Sequence, residues 1–132
     1  MELQLKLIGI LLVLLSFVHV IFPRYFNWKE ELKDLSIINR EMMKIHTFFV
    51  ALVVFGFGLL NIFCTDDLLN TPLGKKLSIF LGVFWGIRAI IQFFGYSSEN
   101  WKGKKFETVV HILFSIFWVY ITVIYFMAAG VL

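Results

Sequence analysis

Four stretches of the sequence are each apolar for about 20 residues, the length that an α-helix needs to cross roughly 30 Å of hydrocarbon. They cover residues 3–22, 43–63, 76–96 and 106–130 approximately, and 60% of all residues are hydrophobic. The runs are continuous and do not alternate with period two, so they do not fit the strands of a membrane barrel. The sequence therefore predicts an all-α integral membrane four-helix bundle, with residues 1–132 forming a single four-span domain.

The connection between the first two spans has the pattern of a short amphipathic helix at the membrane surface. Asn27 and Glu30 have the spacing of a helix cap and its partner. Apolar residues then recur at helical intervals, with charged residues on the opposite face. We expect an interfacial helix over about residues 27–40, and we expect Pro23 to end the first span.

The connections differ in basic residues, and this difference predicts the orientation of the chain. Eight Lys and Arg residues lie on the side of the 23–42 and 97–105 connections, and three lie on the opposite side. The first side is therefore expected to be cytoplasmic, with both termini outside, in a membrane such as the bacterial inner membrane. Basic residues in these places predict contact with membrane lipids and not nucleic-acid binding. Cys64 is the only cysteine, so the chain has no internal disulfide.

Three histidines, His19, His46 and His111, lie on three different spans. Antiparallel threading of the spans would bring all three to one depth near the cytoplasmic headgroups. Three imidazoles of this kind could bind zinc, copper or iron, and two of them could instead hold haem b. We expect Glu107 and Asn39 to support these ligands by hydrogen bonds. Interfacial hydrogen bonding of each histidine is the alternative, since no local ligand motif is present.

Arg88 is the only formal charge deep inside a span, where a guanidinium is costly without an anion or several acceptors. A lipid phosphate, a haem propionate, a quinone carbonyl or a substrate carboxylate could be its partner, or it could be held by polar groups of the chain itself. Other polar and aromatic side chains on the third and fourth spans are expected to line the same substrate or anion site: Gln92, Trp85, Trp118 and Tyr125. For Ser115, Trp118, Thr122 and Tyr125 the alternative is simple packing and bonding to their own helix.

These features favour a membrane protein with a histidine-lined pocket for a metal or haem, with possible oxidoreductase chemistry on a lipophilic small molecule. The alternative is a non-enzymatic subunit or lipid-binding scaffold that forms a homo-oligomer or joins a larger membrane complex. A transporter fits less well, because four spans without an inverted repeat give little basis for alternating access.

Overall fold

The computed structural model describes residues 1–132, which form helices and no strand. The six α-helices are α1 (Glu2–Tyr25), α2 (Trp28–Glu31), α3 (Ile37–Phe63), α4 (Thr65–Asn70), α5 (Pro72–Phe94) and α6 (Lys105–Ala128), with a 3-10 turn at Ser98–Asn100. Helices α1, α3, α5 and α6 contain 24, 27, 23 and 24 residues and are apolar enough to cross a membrane. The predicted all-α architecture with four membrane-spanning helices is confirmed.

The connection between α1 and α3 is less helical than the predicted interfacial helix over residues 27–40. Only one turn, α2, forms there, and α3 begins at Ile37. Asn27 has a left-handed backbone with φ of 53° and makes no side-chain cap, so its expected capping role is wrong. The hydroxyl of Ser36 instead accepts a hydrogen bond from the Asn39 backbone N–H at 3.4 Å and caps α3. A serine at this position satisfies one of the free N–H groups at a helix start.

Pro23 lies inside α1 and does not end it, contrary to the expectation from sequence. Pro23 has no N–H to donate to the carbonyl four residues earlier, but the residues that follow it keep their own N–H groups. The Phe26 N–H still donates to the Phe22 carbonyl at 2.9 Å, beyond the proline. The helix therefore continues for two residues after Pro23.

The chain divides into two compact units, and residues 5–65 form the first, named here the α1–α3 unit. Gly9 and Gly58 allow the backbones of α1 and α3 to approach closely. A Cβ built on Gly9 would lie 2.8 Å from the Gly58 carbonyl oxygen, and one on Gly58 would lie 2.8 Å from the Gly9 carbonyl oxygen. The Asn61 side-chain amide donates to the Leu5 carbonyl at 3.2 Å. Small residues therefore allow close packing that a polar contact supports.

The second unit, named the α5–α6 unit, consists of residues 1–4 and 66–132. Thr71 caps α5 by accepting a hydrogen bond from the Gly74 N–H at 2.9 Å, and Pro72 occupies the first turn. Helices α5 and α6 are antiparallel and pack through aromatic rings. The rings of Trp85 and Trp118 lie parallel, with centroids 5.1 Å apart and an interplanar angle of 6°. This interior positions the polar side chains of the site.

Candidate functional site

Gln92 is the centre of a polar cluster between α5 and α6, and its side chain is buried. Its Oε1 accepts hydrogen bonds from the Arg88 guanidinium at 3.1 Å and from the Trp118 indole N–H at 3.3 Å. Its Nε2 donates to Nδ1 of His111 at 2.9 Å. The two donors on Oε1 fix the orientation of the amide, so Nδ1 of His111 must be the acceptor. A neutral His111 ring therefore carries its proton on Nε2.

Arg88 is half-buried between aromatic rings and has no carboxylate partner. Its Cζ lies 4.9 Å from the centroid of the Trp118 ring and 5.6 Å from that of Tyr96. These two rings and the bond to Gln92 are its interactions within the chain. A guanidinium has five N–H donors in a fixed planar fork, so most of its hydrogen-bonding capacity is unused. The arrangement holds a positive charge in place without neutralising it.

The guanidinium lies toward the carboxyl end of α5. Arg88 precedes the last residue of α5, Phe94, by six positions, which is about 9 Å of helix. Tyr96 follows the helix, so the contact with its ring shows that the Arg88 side chain extends toward that end. Long basic side chains commonly extend from a membrane span toward the headgroups. The Arg88 side chain therefore extends toward the carboxyl end of α5.

His111 is held from two sides. Besides its bond to Gln92, its ring stacks on Trp101, with centroids 3.8 Å apart and planes 12° from parallel. Trp101 belongs to the connection before α6, where its carbonyl accepts a hydrogen bond from the Thr108 hydroxyl at 2.7 Å. Gly103 has φ of 77°, a conformation that glycine adopts readily and that turns the chain into α6. Glu107, expected to orient His111, is exposed and forms no hydrogen bond with it.

The other predicted residues of this unit are core residues. Trp85, Trp118 and Tyr125 are 3%, 4% and 0% exposed. The hydroxyls of Ser115 and Thr122 donate to the carbonyls of His111 and Trp118 in their own helix, at 2.7 and 2.8 Å. The alternative interpretation of these two hydroxyls, bonding to their own helix, is therefore confirmed.

His19 and His46 lie in the α1–α3 unit, where both line a groove of about 490 Å³. The groove also includes Asn39, which was predicted to support the ligands, and the thioethers of Met42 and Met43. His19 is half-buried, and its Nδ1 lies 2.8 Å from the Leu15 carbonyl oxygen. His46 is exposed and makes no hydrogen bond within the chain. The described units therefore bring His19 and His46 to one groove, and His111 belongs to the separate polar cluster.

No group of three or more His, Cys, Asp and Glu side chains is arranged to hold a metal ion. Binding of zinc, copper, iron or haem by the three histidines together thus has no geometric support and stays a prediction. The comparisons with family models, with curated proteins and with solved structures gave no match.

Sequence reasoning missed the roles of Trp101 and Trp28, whose rings were expected only at the membrane interface. Tyr96 shares one face of the third span with Arg88 and Gln92 in sequence, but its contact with Arg88 was not predicted. Tyr96 and Trp101 contact Arg88 and His111, and Trp28 is a buried wall of the groove. Thr108, which lies on the polar face of the fourth span, was the available indication that the preceding connection is fixed to α6.

Proposed function

We propose that this small polytopic membrane protein is a non-enzymatic lipid-binding scaffold that binds the phosphate of an anionic phospholipid at Arg88. The observation that carries the proposal is a guanidinium inside a membrane span that is oriented by Gln92, Trp118 and Tyr96 and has no anionic partner. A charge in such a segment is costly by at least a few kcal/mol unless an anion or a dense set of acceptors compensates it. One amide oxygen does not supply that compensation.

A phospholipid phosphate fits this position in chemistry and in depth. Guanidinium and phosphate form paired, charge-assisted hydrogen bonds, which are stronger than bonds between neutral groups. The faces of Trp118 and Tyr96 reduce the conformational freedom of Arg88 before any ligand binds, so less entropy is lost on binding. The exposed apolar side chains of α5 and α6, such as Phe93 and Ile112, offer contact for acyl chains.

Native mass spectrometry of the full chain in a mild detergent with added phosphatidylglycerol tests this proposal. We expect Arg88→Gln to weaken retention of the first bound lipid at least tenfold, because the charge and the paired donors are lost. Lys75→Gln removes one positive charge from the opposite end of α5 and is the matched control, expected to stay within twofold of the wild type. Equal retention by the Arg88→Gln and Lys75→Gln variants would contradict the proposal.

Oleate, added in place of the phospholipid, distinguishes a phosphate site from a site for lipophilic carboxylates. A phospholipid site retains phosphatidylglycerol in preference to oleate at equal concentration, because the diester phosphate accepts paired hydrogen bonds from the guanidinium and two acyl chains bury more apolar surface than one. A preference for oleate that Arg88→Gln abolishes would make the ligand a lipophilic carboxylate and overturn the phospholipid assignment. The same spectra report whether the chain forms a homo-oligomer, as a scaffold in a larger membrane complex could.

Metal- or haem-dependent redox chemistry is a second candidate function and belongs to the α1–α3 unit. The observation that favours it is the shared groove of His19 and His46. An absorption spectrum together with elemental analysis of gently purified protein tests this candidate. Stoichiometric metal or a haem Soret band would support it, and colourless protein free of zinc, copper and iron that cannot be reconstituted would exclude it.

The proposed orientation places both termini outside, with the eight basic residues on the side of the two longer connections in the cytoplasm of a bacterial cell. Cys64 closes α3 at the end opposite to those connections and is partly accessible. A membrane-impermeant maleimide should therefore label Cys64 in intact cells. Labelling that requires disruption of the membrane would reverse the orientation.

A further inference from the structure

The packing of the α1–α3 unit brings His19 and His46 to the same level. The hydrogen bond between Asn61 and Leu5 and the contact between Gly58 and Gly9 define an antiparallel register. Both helices rise about 1.5 Å per residue, so the register continues along the pair and brings position 19 beside about positions 47 and 48. The two histidines therefore lie at the same level of the helix pair and line one groove.

His19 has the second hydrogen bond that metal-binding histidines commonly have. Its Nδ1 lies 2.8 Å from the Leu15 carbonyl oxygen, and a carbonyl can only accept, so Nδ1 carries the proton. The lone pair of Nε2 is consequently free to bind a metal ion. A backbone carbonyl that orients the ring in this way fixes its tautomer and raises its basicity as a ligand.

His46 shares its side of α3 with two thioethers. Met42 and Met43 precede it by four and three residues, which places all three side chains on one face, and all three line the groove. None of them forms a hydrogen bond within the chain. An imidazole without a partner on a membrane-spanning helix is unfavourable, because its polar nitrogens lose hydration. A ligand in the groove would remove that penalty.

We propose that this groove binds a soft monovalent metal ion, Cu(I), through Nε2 of His19, a ring nitrogen of His46 and a thioether of Met42 or Met43. This inference deepens the second candidate function and is independent of the phospholipid site at Arg88. Neutral imidazole and thioether ligands favour Cu(I), whereas carboxylates and water favour harder ions.

The residues that line the groove also argue against divalent metal ions and against haem. Besides the two histidines and two methionines it consists of Phe22, Trp28, Asn39, Thr47 and Val50, with no carboxylate and no thiolate. A divalent ion would keep its full charge there, which is costly in an apolar environment. Haem propionates usually need cationic or other strong donors, and no Lys or Arg lines the groove. A single positive charge on neutral ligands is the least costly of these alternatives.

Competition between the detergent-solubilised full chain and a chromophoric Cu(I) chelator, without oxygen and with a reductant, tests the inference. We expect one Cu(I) per chain and at least tenfold weaker binding by His46→Ala and by His19→Ala. The double variant Met42→Leu/Met43→Leu should bind about three- to tenfold more weakly. Met127→Leu and His111→Gln change the same residue types in the other unit and should bind within twofold of the wild type. His46 and both methionines are exposed, so these variants should retain their helical circular dichroism.

The outcomes of this experiment distinguish failure of the Cu(I) assignment from failure of the second candidate function, on which the assignment rests. Cu(I) binding that is unaffected by the histidine and methionine variants would overturn the inference. So would displacement of Cu(I) by equimolar Zn²⁺. Uptake of haem with a Soret band that His46→Ala abolishes would overturn the Cu(I) assignment and leave the second candidate function in place. Failure to bind Cu(I), zinc, iron or haem would contradict both the Cu(I) assignment and the second candidate function. The lipid experiment at Arg88 would not be affected.

Discussion

The polar cluster around Gln92 and the groove that His19 and His46 line differ in how their polar side chains are partnered. In the α5–α6 unit, Gln92 connects Arg88, His111 and Trp118, and each of them has a partner in the chain. In the groove of the α1–α3 unit, His46 and the neighbouring thioethers have no hydrogen-bond partner. The first arrangement orients a charged side chain, and the second leaves a ring nitrogen and two thioether sulfurs without a hydrogen bond. Polar residues at similar places in apolar helices can therefore have different roles, which depend on their neighbours.

The contact between α1 and α3 also differs from the contact between α5 and α6. Gly9 and Gly58 bring the backbones of α1 and α3 together, whereas the stacked rings of Trp85 and Trp118 lie between α5 and α6, and Arg88 contacts Trp118. The two experiments that follow test each kind of contact separately.

The largest expected effect is that of Gly58→Leu in the α1–α3 unit. A Cβ at position 58 would lie 2.7 Å from a methyl group of Val13 and 2.8 Å from the Gly9 carbonyl oxygen. The helices must separate, which should cost about 3 kcal/mol of unfolding free energy. Gly56→Leu is the matched control, because nothing lies within 4 Å of a Cβ at that position. Denaturation by SDS, followed by circular dichroism, measures the unfolding free energy of both variants. Equal unfolding free energies for Gly58→Leu and Gly56→Leu would disprove the close contact.

A smaller loss is expected for Gln92→Leu in the α5–α6 unit. This change removes three hydrogen bonds and leaves the Trp118 indole and the Arg88 guanidinium with one partner fewer each. Unsatisfied groups of this kind cost about 1–3 kcal/mol in proteins, and bonds between membrane helices are worth less. We expect about 1–2 kcal/mol in the same denaturation assay. Ser115→Ala loses only a bond within α6 and should cost less than about 0.5 kcal/mol. If Ser115→Ala proves as costly, Gln92 is not the centre of the cluster.

The smallest effect is spectroscopic and concerns the proton of His111. Nitrogen-15 NMR of ring-labelled protein should show the neutral form of His111 protonated on Nε2, because Gln92 donates to Nδ1. The opposite tautomer is expected for His19, whose Nδ1 faces a carbonyl. Gln92→Leu should abolish the preference of His111 for the Nε2-protonated tautomer and leave the tautomer of His19 unchanged. The same tautomer at both positions would contradict the contrast between the units.

Much of the fold could be predicted from the sequence, since hydrophobic length alone determines the four spans. Helix ends were less predictable, because they depend on local competition between caps. Asn27 resembles a cap in sequence, yet its backbone is left-handed and Ser36 caps the next helix instead. Pro23 was expected to end α1, but a proline in the last turn removes only one hydrogen bond.

The site was predictable in its residues and not in its pairings. Arg88 and Gln92 were identified from one face of the third span and Trp118 from one face of the fourth, and the structure brings them together. The depth of the three histidines was inferred from the antiparallel order of the spans. That order gives the level of a residue along the membrane normal, but not the direction in which its side chain points from the helix. The contacts of Tyr96 and Trp101 depend on how the 95–104 connection folds back, and helical periodicity carries no information about that connection.

The central claim, that Arg88 holds a phospholipid phosphate, is tested most directly by a distance between the two groups. Changing Arg24 and Arg40 to Lys leaves Arg88 as the only arginine, so carbon-13 in the guanidinium reports on this residue alone. In vesicles that contain phosphatidylglycerol, solid-state NMR should detect coupling between that carbon and lipid phosphorus at about 4 Å, as expected for paired hydrogen bonds. Absence of this coupling in folded, vesicle-bound protein would contradict the claim.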